Sequence, residues 1–314
     1  SLKRDDKEFS LIIISDNQFA EDSSLMIEWV NKELNSSRFN VYSKTENRMK
    51  RIRQNELTLR VMNQVVLGIP PKIANKEFLE TLGGNYVVFD HGKNTISGGL
   101  PSIFGYSSDS ALDVTYQILE EPTDNGQTLS ANGWMRNGGV DIFNDLQSNF
   151  PKFLDLLDKA GIASKSNLNL PILTTGEFYT ILAPKDSALV AINADNMPID
   201  SLQEILRYHF IKGKLIFTDG AVRSGAYQTM RIDRENSGEF VTVYKNMDIE
   251  TGPDYITILD KMMNPVYTIH EAGNKTNRMT FIRLSSLPND SEFLEFDYRT
   301  NGVIHEIDQV LTNN

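Results

Sequence analysis

Asn301–Leu311 reads NGVIHEIDQVL, Tyr179–Leu189 reads YTILAPKDSAL, and Leu206–Leu215 between them reads LRYHFIKGKL. Glu177 to Ala183 reads as a strand, and Pro184-Lys185-Asp186 turns it into a helix from Ser187 to Asn193. Asp186 is expected to cap that helix by accepting backbone N–H bonds. LRYHFIKGKL reads as a helix end, then a short apolar pair, then Gly213. In the last stretch, Asn301-Gly302 carries turn chemistry. Val303, Ile304, Ile307, Val310 and Leu311 are its apolar contributors to a core.

The 314 residues suffice for one large or two medium domains. With 40% hydrophobic and 23% charged residues, the composition is that of a globular chain. A net charge of −11 argues against a general nucleic-acid binder, whose affinity would rest on Lys and Arg. The absence of cysteine excludes disulfides, thiolate metal sites and cysteine nucleophiles. The four histidines, at 91, 209, 270 and 305, show no metal-ligand spacing. No metal and no cofactor is expected. No apolar run approaches the roughly 20 residues needed to span a bilayer. Ser1 is read as a start either processed or set artificially, which leaves room for targeting information to have been removed.

Along the chain, Phe9–Ile14 (FSLIII) reads as a buried strand. Phe19 to Leu34 has helical spacing. A second helix runs from the basic stretch Arg48–Arg53 (RMKRIR) through Val66, and Gly68-Ile69-Pro70-Pro71 stops it. Segments flanking His91-Gly92 read as a hairpin, Ser97 to Ser110 as a loop and Leu112 to Leu119 as a strand. Gly138-Gly139 marks a domain junction. Beyond it, Asp141 is placed to cap one helix, Pro151 to start a second and Gly161 to close it. Asp200-Ser201 is expected to cap a helix over Leu202 to His209. Later strands are expected at Gln228–Ile232, Glu239–Tyr244, Tyr255–Leu259, Val266–Ile269 and Thr280–Leu284.

TILAPKDSAL, the Tyr208-His209-Phe210-Ile211-Lys212-Gly213 run and NGVIHEIDQVL, in this order, resemble the fasciclin-like domain over about residues 139 to 314. The resemblance implies an α+β fold, a small β-sandwich or wedge flanked by helices. It marks Pro184, Asp186, Gly213, Asn301, Gly302, His305 and Asp308 as structural positions.

The first half is similar to a divergent second copy. FSLIIISDNQF aligns with YTILAPKDSAL, putting Asp16 on Asp186. LRVMNQVVLG aligns with EILRYHFIKG, putting Gly68 on Gly213 and Asn63-Gln64 on the Tyr-His pair. NGQTLSANGWM takes the closing place, with Asn132 on Asp308. This copy carries about 25 extra residues around Asn35 to Arg53. It lacks the leading helices: either it is N-terminally truncated, or something else covers that side. The domains are therefore expected at residues 1–137 and 138–314, arranged in tandem.

Two features have competing readings. Tyr208-His209 lies at a helix end and runs into Phe210-Ile211. Adhesion claims for the family rest on this pair as a contact, whereas its apolar setting favours a core histidine with satisfied hydrogen bonds, and His305 is read the same way. Arg48, Lys50, Arg51 and Arg53 form the basic cluster, either a solvated helix face or a contact for an acidic glycan, an anionic membrane surface or the acidic second domain. Acidic runs, Glu120-Glu121 and the Asp/Glu of 246 to 260, read as solvated.

The expected function is non-catalytic adhesion or binding of a surface protein or glycan, without nucleic acid. The expected location is extracellular or at a cell surface, with a possible lipid anchor upstream of Ser1. Two alternatives stand beside it. One is an accessory subunit of a bacterial surface glycan-uptake complex. The other is a polysaccharide hydrolase, which would need paired carboxylates about 5–9.5 Å apart.

Overall fold

The computed structural model describes residues 8–15, 58, 61–98, 114–119, 126–133, 139–174, 176–238, 241–273, 275–282 and 299–312. Asp16, Arg48, Lys50, Arg51, Arg53, the helix expected over 19–34, most of the 97–110 loop and Glu120-Glu121 lie outside them. Packing divides the chain into two compact units. One holds Ser1–Lys72, Glu77–Gly139 and Ser286–Arg299; the other holds Ile73–Lys76, Val140–Ser285 and Thr300–Asn314. The main division falls beside Gly138-Gly139, but neither unit is one continuous stretch.

In the first unit, β1 (Phe9–Ile14), β2 (Val65–Leu67), β3 (Lys76–Glu80), β4 (Tyr86–Asp90), β5 (Thr95–Gly98), β6 (Val114–Ile118) and β7 (Gly126–Ala131) form one sheet in the order β2-β1-β7-β6-β5-β4-β3. The helix expected to run through Val66 gives way to β2, because Val65 and Val66 are β-branched and both bury in the sheet. Ile12, Val66, Val87, Phe89, Ile96, Val114, Leu129 and Ala131 fill its core. Leu11 and Ile13 point to the opposite face and are 41% and 45% exposed.

The second unit begins with β8 (Val140–Asp141), α1 (Ile142–Asn149) and α2 (Pro151–Lys159). Asp141 caps α1, its carboxylate accepting the Asn144 N–H at 3.1 Å. Pro151 opens α2, where its missing N–H costs nothing. Gly161 follows α2 in the left-handed conformation at φ +68.

Next come β9 (Tyr179–Pro184), α3 (Asp186–Ala191), α4 (Ile199–Tyr208) and β10 (Phe210–Lys212). β11 (Gly225–Ile232), β12 (Tyr244–Gly252), β13 (Tyr255–Leu259), β14 (Pro265–His270), β15 (Arg278–Phe281) and β16 (Gly302–Ile307) complete the unit. Its nine strands run β14-β13-β12-β11-β10-β9-β16-β15-β8.

Every residue of β9 is buried. Strand alternation sends Tyr179, Ile181 and Ala183 to a cluster with Phe143, Leu146, Phe153, Leu157, Leu189 and Leu206 of the helices. It sends Leu182 to the other face, against Met247, Ile249, Ile256, Ile258 and Ile269 of the distal strands. Central and distal strands of one sheet share that second cluster, so the sheet curls over it into a wedge. Together with the helical layer this is the expected α+β architecture.

Three local expectations are corrected. Strand β12 starts at Tyr244, where the sequence suggested an end. Met247 and Ile249 of that strand turn inward, while Asp248 and Glu250 between and beyond them keep the solvated face expected of the acidic run. Pro198, rather than Asp200-Ser201, is the residue before α4, and its carbonyl accepts the Leu202 N–H at 2.9 Å. Asn301-Gly302 is no turn. Gly302 is a strand residue where a Cβ would meet Thr280 Oγ1 at 2.3 Å, while Asn301 Oδ1 accepts the Ile282 N–H at 2.8 Å.

The aligned halves also agree in register. β1 pairs antiparallel with β2 as Phe9↔Leu67, Ser10↔Val66 and Leu11↔Val65. β9 pairs with β10 as Tyr179↔Lys212, Thr180↔Ile211 and Ile181↔Phe210. The closing strands lie parallel to the opening ones, with Phe9↔Gly126 in one unit and Tyr179↔Gly302 in the other. Gly68 and Gly213 end the second strands at φ +116 and +85. Their N–H groups donate to Glu8 O at 3.0 Å and Phe178 O at 2.7 Å.

Candidate functional site

Helix α4 presents Leu202, Leu206 and Tyr208 to the interior, which carries His209 inward at the helix end. The His209 imidazole is fully buried. Its Nδ1 lies 2.8 Å from Ile205 O, a group that only accepts, so Nδ1 carries the proton. Nε2 then accepts the Leu311 N–H at 3.0 Å. One ring thus ties the last turn of α4 to the C-terminal segment. Burial pushes its pKa down to about 4, against the opposing effect of the Ile205 hydrogen bond. Tyr208 is 7% exposed, and the Arg231 guanidinium sits 5.8 Å from its ring centre. Burial raises the Tyr208 pKa.

His305 has the opposite tautomer. Nε2–H donates to Ile216 O at 2.9 Å, and Nδ1 accepts the Asn277 N–H at 3.3 Å. It too is fully buried, with a pKa lowered by burial to about 4. The core reading of both histidines therefore holds, and His209 has no surface to offer a partner.

Asp186 is corrected in role. Lys185 precedes α3, and its carbonyl accepts the Ala188 and Leu189 N–H groups at 3.0 and 3.2 Å. Asp186 is the first helical residue, exposed, and its charge suits the helix N-terminus without capping it. Pro184 is buried at the end of β9 opposite Ile307. Asp308 is exposed, and its N–H donates to Tyr267 Oη at 3.2 Å.

Two constellations had no signal in the sequence. Asp145 of α1, 2% exposed, accepts Arg278 Nε of β15 at 2.8 Å through Oδ2 and also bonds Nη2. Asp145 raises the Arg278 pKa, holding this cation charged. In the first unit, His91 Nε2 lies 2.8 Å from Glu77 Oε2, and Tyr116 Oη lies 3.5 Å from His91 Nδ1. Burial and the nearby Glu77 and Asp90 charges raise the Tyr116 pKa, so its phenol stays protonated at neutral pH. Such a phenol is a poor nucleophile, and the trio acts as a link between β3, the β4–β5 turn and β6. Among the described residues, no three or more His, Asp or Glu side chains could hold a metal ion.

The second unit is thus an α+β wedge whose helix-end histidine and closing-strand histidine are both committed to the core. Residues 148–265 match the family model of the fasciclin domain, and the chain carries a fasciclin domain there. The sheet extends the structural unit beyond that match, since β16 lies between β9 and β15. A search of curated proteins finds no match to the chain. Fasciclin domains are associated with cell adhesion and binding.

Proposed function

We propose that this chain is a non-catalytic binding protein of the cell surface or extracellular space. It is read as two fasciclin-like units in tandem, the first divergent, that recognise a surface protein or glycan. The single observation that carries the tandem reading is the shared strand register, with Phe9↔Leu67 and Phe9↔Gly126 matching Tyr179↔Lys212 and Tyr179↔Gly302. The fasciclin match over residues 148–265 supports the adhesive role. Burial of His209 and His305 moves the contact away from the core strands. The basic cluster Arg48, Lys50, Arg51 and Arg53 falls where the two halves differ in sequence and is assigned to an acidic glycan.

Glycan and matrix-protein arrays probed with the whole chain test this. Capture should occur at micromolar concentration. For an acidic glycan it should weaken with salt. Charge reversal at the four basic residues should abolish it. No capture refutes the glycan assignment. Release of reducing sugar from a bound polysaccharide would instead favour a hydrolase.

A further inference from the structure

We propose that Met262 and Met263, at the tip of the β13–β14 hairpin, are a peroxide-sensitive modification site. Oxidation there switches the tip from apolar to polar without disturbing the fold. The two thioethers are 81% and 61% exposed, and neighbouring Val266 is 49% exposed. Asp260 holds the turn that presents them. Its Oδ1 accepts the Met262 and Asn264 N–H groups, each at 2.8 Å. Its backbone receives the Met263 N–H at 2.9 Å and donates to Asn264 O at 2.9 Å. Met263 sits at φ +62, a left-handed conformation that disfavours a side-chain-bearing residue. Neither side chain joins a core cluster, so packing does not offset this. The turn bonds use backbone groups, the Asp260 carboxylate and the Asn264 amide, and neither sulfur, so a sulfoxide oxygen on either sulfur leaves them intact.

The other described methionines are less accessible. Met247 is fully buried and Met279 is 9% exposed. Met230 and Met197 pack against the helical core, and Met62 is half-buried. The chemistry needs only a peroxide. The sulfur attacks one peroxide oxygen, an S–O bond forms as the O–O bond breaks, and hydroxide departs. That hydroxide takes the proton of the sulfur-bound oxygen, giving sulfoxide and water. Sulfur is oxidised and peroxide reduced. Methionine sulfoxide reductases reverse the step.

The test is a hydrogen peroxide series on the whole chain, read by peptide mapping so that Met26, Met49 and Met135, outside the described residues, are scored separately. Met262 and Met263 should oxidise at least ~10-fold faster than Met247 and Met279. At that stage the thermal midpoint and far-ultraviolet dichroism of the protein should be unchanged. Retention on a hydrophobic-interaction resin should fall, and reductase treatment should restore it. The M262L/M263L variant should keep its retention under the same exposure. Oxidation of Met247 or Met279 first, a lowered thermal midpoint on tip oxidation, or unchanged retention would each overturn the proposal.

Discussion

Strands β1 and β9 hold the same place in their units and differ in what covers them. Each pairs antiparallel with a short second strand that ends in a left-handed glycine, and parallel with the closing strand. Yet β9 is buried throughout, whereas β1 alternates, with Leu11 and Ile13 exposed opposite a core that holds Ile12. The comparison separates two properties that usually travel together. Backbone register belongs to the three-strand arrangement, and it persists where burial differs. Burial belongs to the layers laid on it, which in the second unit are helices on one face and the curled sheet on the other.

The sharpest way to break this comparison is to cut the same strand position in each unit. Ile181→Ala removes a fully buried side chain from the helical core and should cost about 2–5 kcal/mol in urea unfolding. Its register counterpart Leu11→Ala should cost under about 1 kcal/mol. Equal losses would mean that the two faces are alike.

A second effect belongs to the helical layer alone. Asp145→Ala leaves Arg278 without its carboxylate and should destabilise the second unit by about 3 kcal/mol, moderated because Arg278 reaches solvent. Replacing Arg278 by Met as well should recover part of that loss. No recovery in the double variant would contradict a paired-charge account.

The closing-strand glycines come next. At Gly126 a Cβ would meet Phe9 O at 2.1 Å with φ at +152, so Gly126→Ala should cost about 2 kcal/mol. At Gly302 the clash is with the Thr280 side chain, which can rotate, so Gly302→Ala should cost about 1 kcal/mol. The reverse order, measured by equilibrium unfolding, would contradict a closer backbone approach at Gly126 than at Gly302.

Acid sensitivity sharpens the second unit only. Burial lowers the pKa of His209 and of His305 from the ordinary imidazole value of 6.5 to about 4 on folding. Between those values the unfolded chain binds protons that the folded chain refuses. Their contribution is complete above 6.5 and is lost as pH falls toward about 4, at up to about 1.4 kcal/mol per pH unit for each ring. His209→Gln should remove one proton from that slope, with His305→Gln removing the other. A slope unchanged in both variants would place the acid sensitivity elsewhere.

Much of this was legible because the signals are local. Asp141, Pro151 and Gly161 act within one turn of the chain, and each fulfils its expected role. Aligning Gly68 with Gly213 put two left-handed glycines in matching places, although Val65 and Val66 before the first had read as helix rather than strand. What was hidden depends on distance or context. Asp145 and Arg278 are 133 positions apart. The Asn301-Gly302 pair reads as a turn by itself, and only Thr280 across the sheet shows why a glycine belongs in a strand there. Met247 and Ile249 alternate with charges, and the alternation was masked by the acidity of the segment. The basic cluster 48–53 lies outside the described residues, so its surroundings stay a matter for the binding test.

The shared register can be tested most directly by cysteine pairing, because the chain has no cysteine of its own. One variant carries Phe9→Cys with Leu67→Cys, and its counterpart Tyr179→Cys with Lys212→Cys. Directly opposed strand residues approach within disulfide reach, whereas a one-residue slip puts the side chains on opposite faces. Both in-register pairs should close under mild oxidation, and Phe9→Cys with Val66→Cys should not. Closure of the slipped pair, or failure of the first-unit pair while the second-unit pair closes, would contradict the common arrangement.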